Sequence, residues 1–166
     1  LLSKKYNLEN QINIINDDAT LTDIKEKYDL IFIDAAKGKN ILLAEDNDLN
    51  AEIAEAMLAR AGLKVERVED GVQCVNRIEK MPSGTYDVIL MDIQMPKMNG
   101  YKATQAIRHL SDKDKACIPI IAMTANAFEE DKKEAIAAGM NHHITKPIQM
   151  DALLLILAEM IEQQEK

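Results

Sequence analysis

Val88-Ile89-Leu90-Met91-Asp92-Ile93-Gln94-Met95-Pro96-Lys97-Met98-Asn99-Gly100-Tyr101 runs four apolar residues into an acid and then into a loop of turn-forming residues. A run that is apolar on both faces suits a central strand of a parallel sheet, because helices cover such a sheet on both sides. Ile41-Leu42-Leu43-Ala44 and Ile118-Pro119-Ile120-Ile121-Ala122-Met123 have the same character. Lys64-Val65-Glu66-Arg67-Val68 alternates instead, as an edge strand does, and His143-Ile144-Thr145 is a short fifth candidate. Helical patterns fill the intervals. Leu49, Ile53, Met57, Leu58 and Ala61 recur at helical spacing before Gly62 stops them. Val72, Val75 and Ile78 repeat the pattern up to Pro82-Ser83-Gly84, and Ala103, Ile107 and Leu110 form a third set. Glu129–Ala138 precedes the stop at Gly139, and Leu153, Leu157 and Met160 share one face of a last helix. Strand–helix alternation repeated in this way predicts a doubly wound α/β fold with a parallel five-stranded sheet.

The chain has 166 residues and a formal net charge of −8, which disfavours nucleic-acid backbones and anionic membranes as partners. Its length is enough to bury a core without disulfides or structural metal. Cys74 and Cys117 stand in apolar contexts with no CxxC pair, so both are expected to be buried structural thiols of a reducing compartment. No apolar run approaches the roughly 18 residues of a membrane span. Leu1-Leu2-Ser3 leads directly into lysine and asparagine, unlike a signal peptide. A cytoplasmic location is expected.

Acids close the apolar runs. Glu45 and Asp46 follow the first, and Asp92 follows Val88–Met91. In a doubly wound sheet, ligands collect beyond the carboxyl ends of the strands where the strand order reverses. If the first and third strands are neighbours, the three carboxylates meet there. Like charges that close repel and raise one another's pKa values, so replacing Asp92 should stabilise the metal-free fold. A divalent cation relieves the repulsion, and an oxygen-only, partly open donor set suits Mg²⁺. Asp92 can then attack phosphorus as a carboxylate, with no base needed to activate it. Lys146 after the fifth strand supplies a cation for a second phosphoryl oxygen, and Thr124 after the fourth supplies a hydroxyl for the third. Each of these residues alone is an ordinary strand-end charge or cap; their order at successive strand ends is what points to phosphoryl transfer.

These motifs resemble the receiver domains of two-component response regulators, above all those fused to hybrid histidine kinases. The likeness rests on Ile41-Leu42-Leu43-Ala44-Glu45-Asp46-Asn47, on Val88–Tyr101, on Pro119–Ala127, on Ala138-Gly139-Met140-Asn141 and on Ile144-Thr145-Lys146-Pro147-Ile148, and it covers 39–166 in order. The resemblance implies a flavodoxin-like sheet of order 2-1-3-4-5 and phosphorylation at Asp92. It implies Mg²⁺ held by Asp46 and Asp92, by Glu45 through water, and by the backbone carbonyl of Gln94. Thr124 would hydrogen-bond the phosphoryl group, Lys146 would pair with it, and Lys146-Pro147 would be cis. Met95-Pro96 and Gly100 would shape the loop after the nucleophile. Thr124 and His143 would form the switch, although the family often carries Tyr or Phe at the second position. The partner would be a histidine kinase or a histidine phosphotransfer domain. The output face would comprise the helix over Glu129–Ala138, the strand at His143–Thr145 and the last helix, with homodimerisation through the same face. No independent enzyme activity is implied beyond slow self-dephosphorylation.

Residues 1–38 do not fit that pattern. Ile12–Ile15, Leu21–Lys27 and Tyr28–Asp34 predict an extra strand–helix–strand unit. Tyr28-Asp29-Leu30-Ile31-Phe32-Ile33-Asp34-Ala35-Ala36-Lys37-Gly38 resembles a fragment of a class I O-methyltransferase that uses S-adenosylmethionine, without the glycine-rich cofactor loop. Two origins compete: a chimera, engineered or recombined, whose receiver part serves as a scaffold, and a degenerate receiver-like segment. An aspartyl-phosphate phosphatase is disfavoured, because Gln94 stands where such enzymes place a second Asp.

Overall fold

The computed structural model describes residues 36–126 and 128–164, with side chains described up to Met160. The extra unit expected over residues 1–38 lies outside the described residues except for its last three positions. The chain then alternates as β1 (Asn40–Ala44), α1 (Asp48–Arg60), β2 (Lys64–Val68), α2 (Gly71–Lys80), β3 (Val88–Asp92), α3 (Gly100–Arg108), a short α4 (Lys113–Ala116), β4 (Ile120–Thr124), α5 (Glu129–Ala138), β5 (His142–Thr145) and α6 (Met150–Gln164). All strand pairings are parallel, in the order β2-β1-β3-β4-β5. The expected sheet order and the alternating edge strand at β2 are therefore present. The short α4 was not legible; Asp112 caps it by accepting the N–H groups of Asp114 and Lys115.

The two-residue period of the strands sorts the core into two layers. Ile41, Leu43, Val88, Leu90, Ile121 and Met123 face α1 and α6. Leu42, Ala44, Ile89, Met91, Ile120 and Ala122 face α2, α3 and α5. Each large aliphatic side chain so buried contributes roughly 1.5–3 kcal/mol. Because the central strands are buried on both faces, their apolar runs had no alternation to show.

Two expectations are corrected. Leu49 and Ile53 are 65% and 49% exposed, while α1 packs through Ala51, Ala54 and Leu58. Ala51, Ala54 and Leu58 form the contact stripe, and Leu49 and Ile53 stand on the neighbouring stripe in solvent. Cys117 is exposed; Cys74 is buried among apolar neighbours, and that burial pushes its thiol up to about 12.

Parallel strands deliver their carboxyl ends to one edge. The register pairs Ala44 with Met91, Asp92 with Met123 and Thr124 with Thr145, so the residues that end β1, β3, β4 and β5 are neighbours. Gly100 begins α3 against that edge, its N–H donating to the Ile93 carbonyl at 2.9 Å. A Cβ there would collide with the carbonyl oxygen of Asp92 and press on the Ile93 Cα at 3.0 Å. At the opposite end, Ala36 is buried in the α1/α6 layer, and the Gly38 N–H donates to the Gly62 carbonyl at 2.9 Å.

Gly100→Ala is expected to cost about 1–3 kcal/mol or more, because both obstructing atoms are backbone, and urea melts measure it. A chain starting at Ala36 should fold cooperatively, and one starting at Lys39 should be less stable by about 1 kcal/mol through loss of the Ala36 methyl. Matched circular-dichroism melts of the two truncations test this.

Candidate functional site

Each acid owes its position to a strand end. Glu45 follows β1, and its N–H donates to the Val68 carbonyl at 3.1 Å, which ties it to β2. Its carboxylate is 2% exposed and accepts the Asn47 N–H at 3.2 Å and Asn50 Nδ2 at 3.5 Å. Asn47 also caps α1 by accepting the Asn50 N–H at 2.9 Å. Asp46 is exposed at the mouth of the site. Asp92 ends β3, is 5% exposed, and accepts the Gln94 N–H on Oδ1 at 3.1 Å. Carboxylate oxygens of Glu45, Asp46 and Asp92 lie within 4.8 Å of one another.

Lys146 joins the buried pair. Its Nζ is 2.6 Å from Glu45 Oε2 and 2.8 Å from Asp92 Oδ2. Burial pulls the lysine pKa down, but the two carboxylates outweigh it and hold the group above its ordinary value. Asp92 moves the same way for the opposite reason. Burial raises its pKa most, Glu45 adds to the rise, and Lys146 with the Gln94 N–H opposes it. The rise expected from like charge is present, with desolvation as its larger cause. The Lys146-Pro147 bond is cis, as the resemblance implied.

These residues line a pocket of about 350 Å³ with Gln94, Thr124, Asn126 and Asp131. The Thr124 hydroxyl donates to the Asn126 carbonyl at 2.9 Å and accepts the Asn126 N–H at 3.1 Å, so it is engaged with its own loop and not with Asp92. His143 is half-buried on β5, opposite Ala122 in the register. Burial lowers its pKa, Lys132 and His142 add to that, and Glu129 opposes it. All donors at the acid cluster are oxygens, two of them buried and one open to solvent, which suits a hard cation that keeps water ligands.

Sequence reasoning missed three supporting residues. Arg67 on β2 donates from Nε to the Glu45 carbonyl at 3.0 Å, and from Nη2 to the Asp46 carbonyl at 3.2 Å and to Asp48 Oδ1 at 2.9 Å. Asp70, almost fully buried at the start of α2, accepts Lys97 Nζ at 2.8 Å. Alternating β2 gave no hint that Arg67 reaches a neighbouring loop, and the sequence separation of 27 between Asp70 and Lys97 hides their pairing.

Residues 41–158 match the family model of the response regulator receiver domain, and the chain belongs to that family. The peroxide stress-activated histidine kinase mak1 of Schizosaccharomyces pombe is 34% identical over 152 residues, which cover 89% of this chain and 9% of that protein. Histidine protein kinase 1 of Candida albicans is 43% identical over 129 residues, covering 74% of this chain and 5% of its own length. The chain therefore spans a small part of these kinases. A solved receiver domain of a sensor histidine kinase from Pseudomonas aeruginosa, with a magnesium ion coordinated in its active-site cleft, superposes with a TM-score of 0.67 at 42% identity, over 75% of this chain and 98% of that one. The receiver domain of Ssk1 from Saccharomyces cerevisiae, solved with the histidine phosphotransfer protein Ypd1, gives a TM-score of 0.66 at 28% identity, over 74% and 88% of the two chains. No helix among the described residues is long and apolar enough to cross a membrane.

The raised pKa of Asp92 has a consequence for stability. An acid that binds its proton more tightly folded than unfolded destabilises the fold once it is ionised, and this cost fades as pH falls through the folded value. Asp92→Asn should therefore raise the melting temperature by a few degrees at pH 7 in a chelator. The gap to wild type should close as the pH is lowered toward the carboxylate range. Differential scanning calorimetry across pH checks it.

Proposed function

We propose that this chain is the phosphoacceptor receiver of a two-component phosphorelay and that Asp92 is its nucleophile. The observation that carries this reading is the meeting of Asp92 with Glu45, Asp46 and Lys146 at one sheet edge. A carboxylate oxygen of Asp92 attacks phosphorus, an O–P bond forms, and the P–N bond of a donor phosphohistidine breaks with its electron pair going to the imidazole nitrogen. Glu45, Asp46, Asp92 and the Gln94 carbonyl are the groups that would hold Mg²⁺, which when bound offsets the charge on the transferring oxygens. Lys146 then leaves its carboxylate partners to pair with a phosphoryl oxygen. Thr124 exchanges its bonds to Asn126 for one to the phosphoryl group, and His143 on the adjacent strand follows that movement.

The donor is a histidine kinase or a histidine phosphotransfer domain, which sets the exchange in the cytoplasm. The exposed Leu49 and Ile53, with Met57 and Ile148 beside Lys146, support this, since they offer an apolar border next to the acid pocket. Homodimerisation through α5, β5 and α6 is supported by the exposed Ile136 and Leu155. In this reading 39–166 is the receiver and 1–38 is an appended unit, in keeping with a family match that begins at residue 41 and a sheet that begins at Asn40.

With Mg²⁺ and acetyl phosphate, intact mass should rise by one phosphoryl group and Asp92→Asn should abolish the gain. Lys146→Met should slow it about 100-fold. A mass gain that persists in Asp92→Asn, or none in wild type with either acetyl phosphate or beryllofluoride, overturns the reading.

A further inference from the structure

Two cations border a pocket whose acids are proposed to hold a cation. Arg67 and Lys97 stand beside the loops that carry the metal-binding groups, and by Coulomb's law alone each should weaken Mg²⁺ binding. Their hydrogen bonds say something different. Arg67 spans the β1–α1 loop, holding the consecutive carbonyls of Glu45 and Asp46 and reaching the Asp48 carboxylate. Asp46 and Asp48 are exposed, and Arg67 ties this solvent side of the loop to β2.

Lys97 acts on the second loop, the stretch between β3 and α3 that includes Gln94. Its backbone has φ of 63°, the left-handed region that a side chain other than glycine adopts at a cost of about 1 kcal/mol or more. Its Nζ reaches Asp70, which also caps α2 by accepting the Gln73 N–H at 2.8 Å. The next residue adds a second tie, with the Gly71 N–H donating to the Met98 carbonyl at 3.1 Å. Gly71 has to lack a side chain here, since a Cβ would collide with that same carbonyl oxygen. The β2–α2 corner thus grips both halves of the acid pocket while contributing no residue to its lining.

We infer that Arg67 and Lys97 are positioning residues of the metal site, holding the Glu45-Asp46 loop and the Gln94 loop at the spacing Mg²⁺ needs. Asp48 and Asp70 each offset one of the cations, which limits the electrostatic penalty of having them there. The inference rests on the proposed reading of the pocket as a Mg²⁺ site. It differs from a field effect in sign. Removing either positive charge by Arg67→Met or Lys97→Met would tighten Mg²⁺ if charge dominated. If the two residues act by position, it loosens Mg²⁺ by about tenfold, the size typical of lost outer-sphere support.

The experiment is calorimetric titration of Mg²⁺ into wild type, Arg67→Met, Lys97→Met, Asp70→Asn and the Asp70→Asn/Lys97→Met double variant, with metal-free melts alongside. Lys97 is largely exposed, so its variant is expected to fold even if Arg67→Met does not. Asparagine keeps an Oδ1 for the cap on α2 and removes the ion pair, together with the Gln73 Nε2 contact to Oδ2 at 3.4 Å. The expected result is weaker binding in both methionine variants, and a double variant no weaker than Lys97→Met, because the pair works as a unit. Raising the ionic strength should leave the ratio of each methionine variant to wild type unchanged. Unchanged or tighter Mg²⁺ binding in folded Lys97→Met overturns the role of Lys97, and the same result in Arg67→Met overturns that of Arg67. Wild type that binds no Mg²⁺ overturns the proposed pocket itself, a different failure.

Discussion

One ammonium group shared between two buried carboxylates organises the carboxyl edge of this sheet. Glu45 follows β1 and Asp92 ends β3, one residue beyond the paired Ala44 and Met91, so the two strands bring the carboxylates together. Burying both without compensation would cost several kcal/mol per charge. Lys146, 2.6 Å from one and 2.8 Å from the other, supplies that compensation from the far side of β4. The order β2-β1-β3-β4-β5 is what allows it, because β1 and β3 adjoin at the centre while β5 ends close enough to reach back. The site and the topology are one constraint seen at two scales.

The compensation at Asp92 is partial. Asp92 holds its proton more tightly than a free carboxylate does, and Lys146 compensates only in part. Thr124 is satisfied by Asn126 and turned away from Asp92. A group that brings negative charge to Asp92 therefore offers new partners both to the lysine and to the hydroxyl. Thr124 ends β4 and Lys146 follows β5, the strand that packs against α5 and α6.

Much of this was legible in the sequence because the chemistry sits where the pattern breaks. Apolar runs ending in Glu45-Asp46, Asp92 and Thr124 mark both the strands and the edge of the site, and Lys146-Pro147 completes it. What escaped depended on tertiary neighbours. Arg67 looks like the polar half of an edge strand until β1 is placed beside it. Asp70 and Lys97 look like a cap and a loop charge until the β3–α3 loop folds over α2. Leu49 and Ile53 misled in the other direction. Their spacing marked the helix but not its buried face, which is Ala51, Ala54 and Leu58. Cys117 misled likewise, its apolar neighbours Ile118 and Ile120 being buried while it is not.

The seat made by Ala51, Ala54 and Leu58 leaves the rest of α1 uncommitted. Because Ala51, Ala54 and Leu58 carry the packing of α1, the outward residues of the helix contribute little to the stability of the fold. A substitution at Leu49 or Ile53 alters the surface of α1 and leaves its packing against the sheet in place. The outer face of α1 can thus vary in shape and polarity with no matching change in the core beneath it.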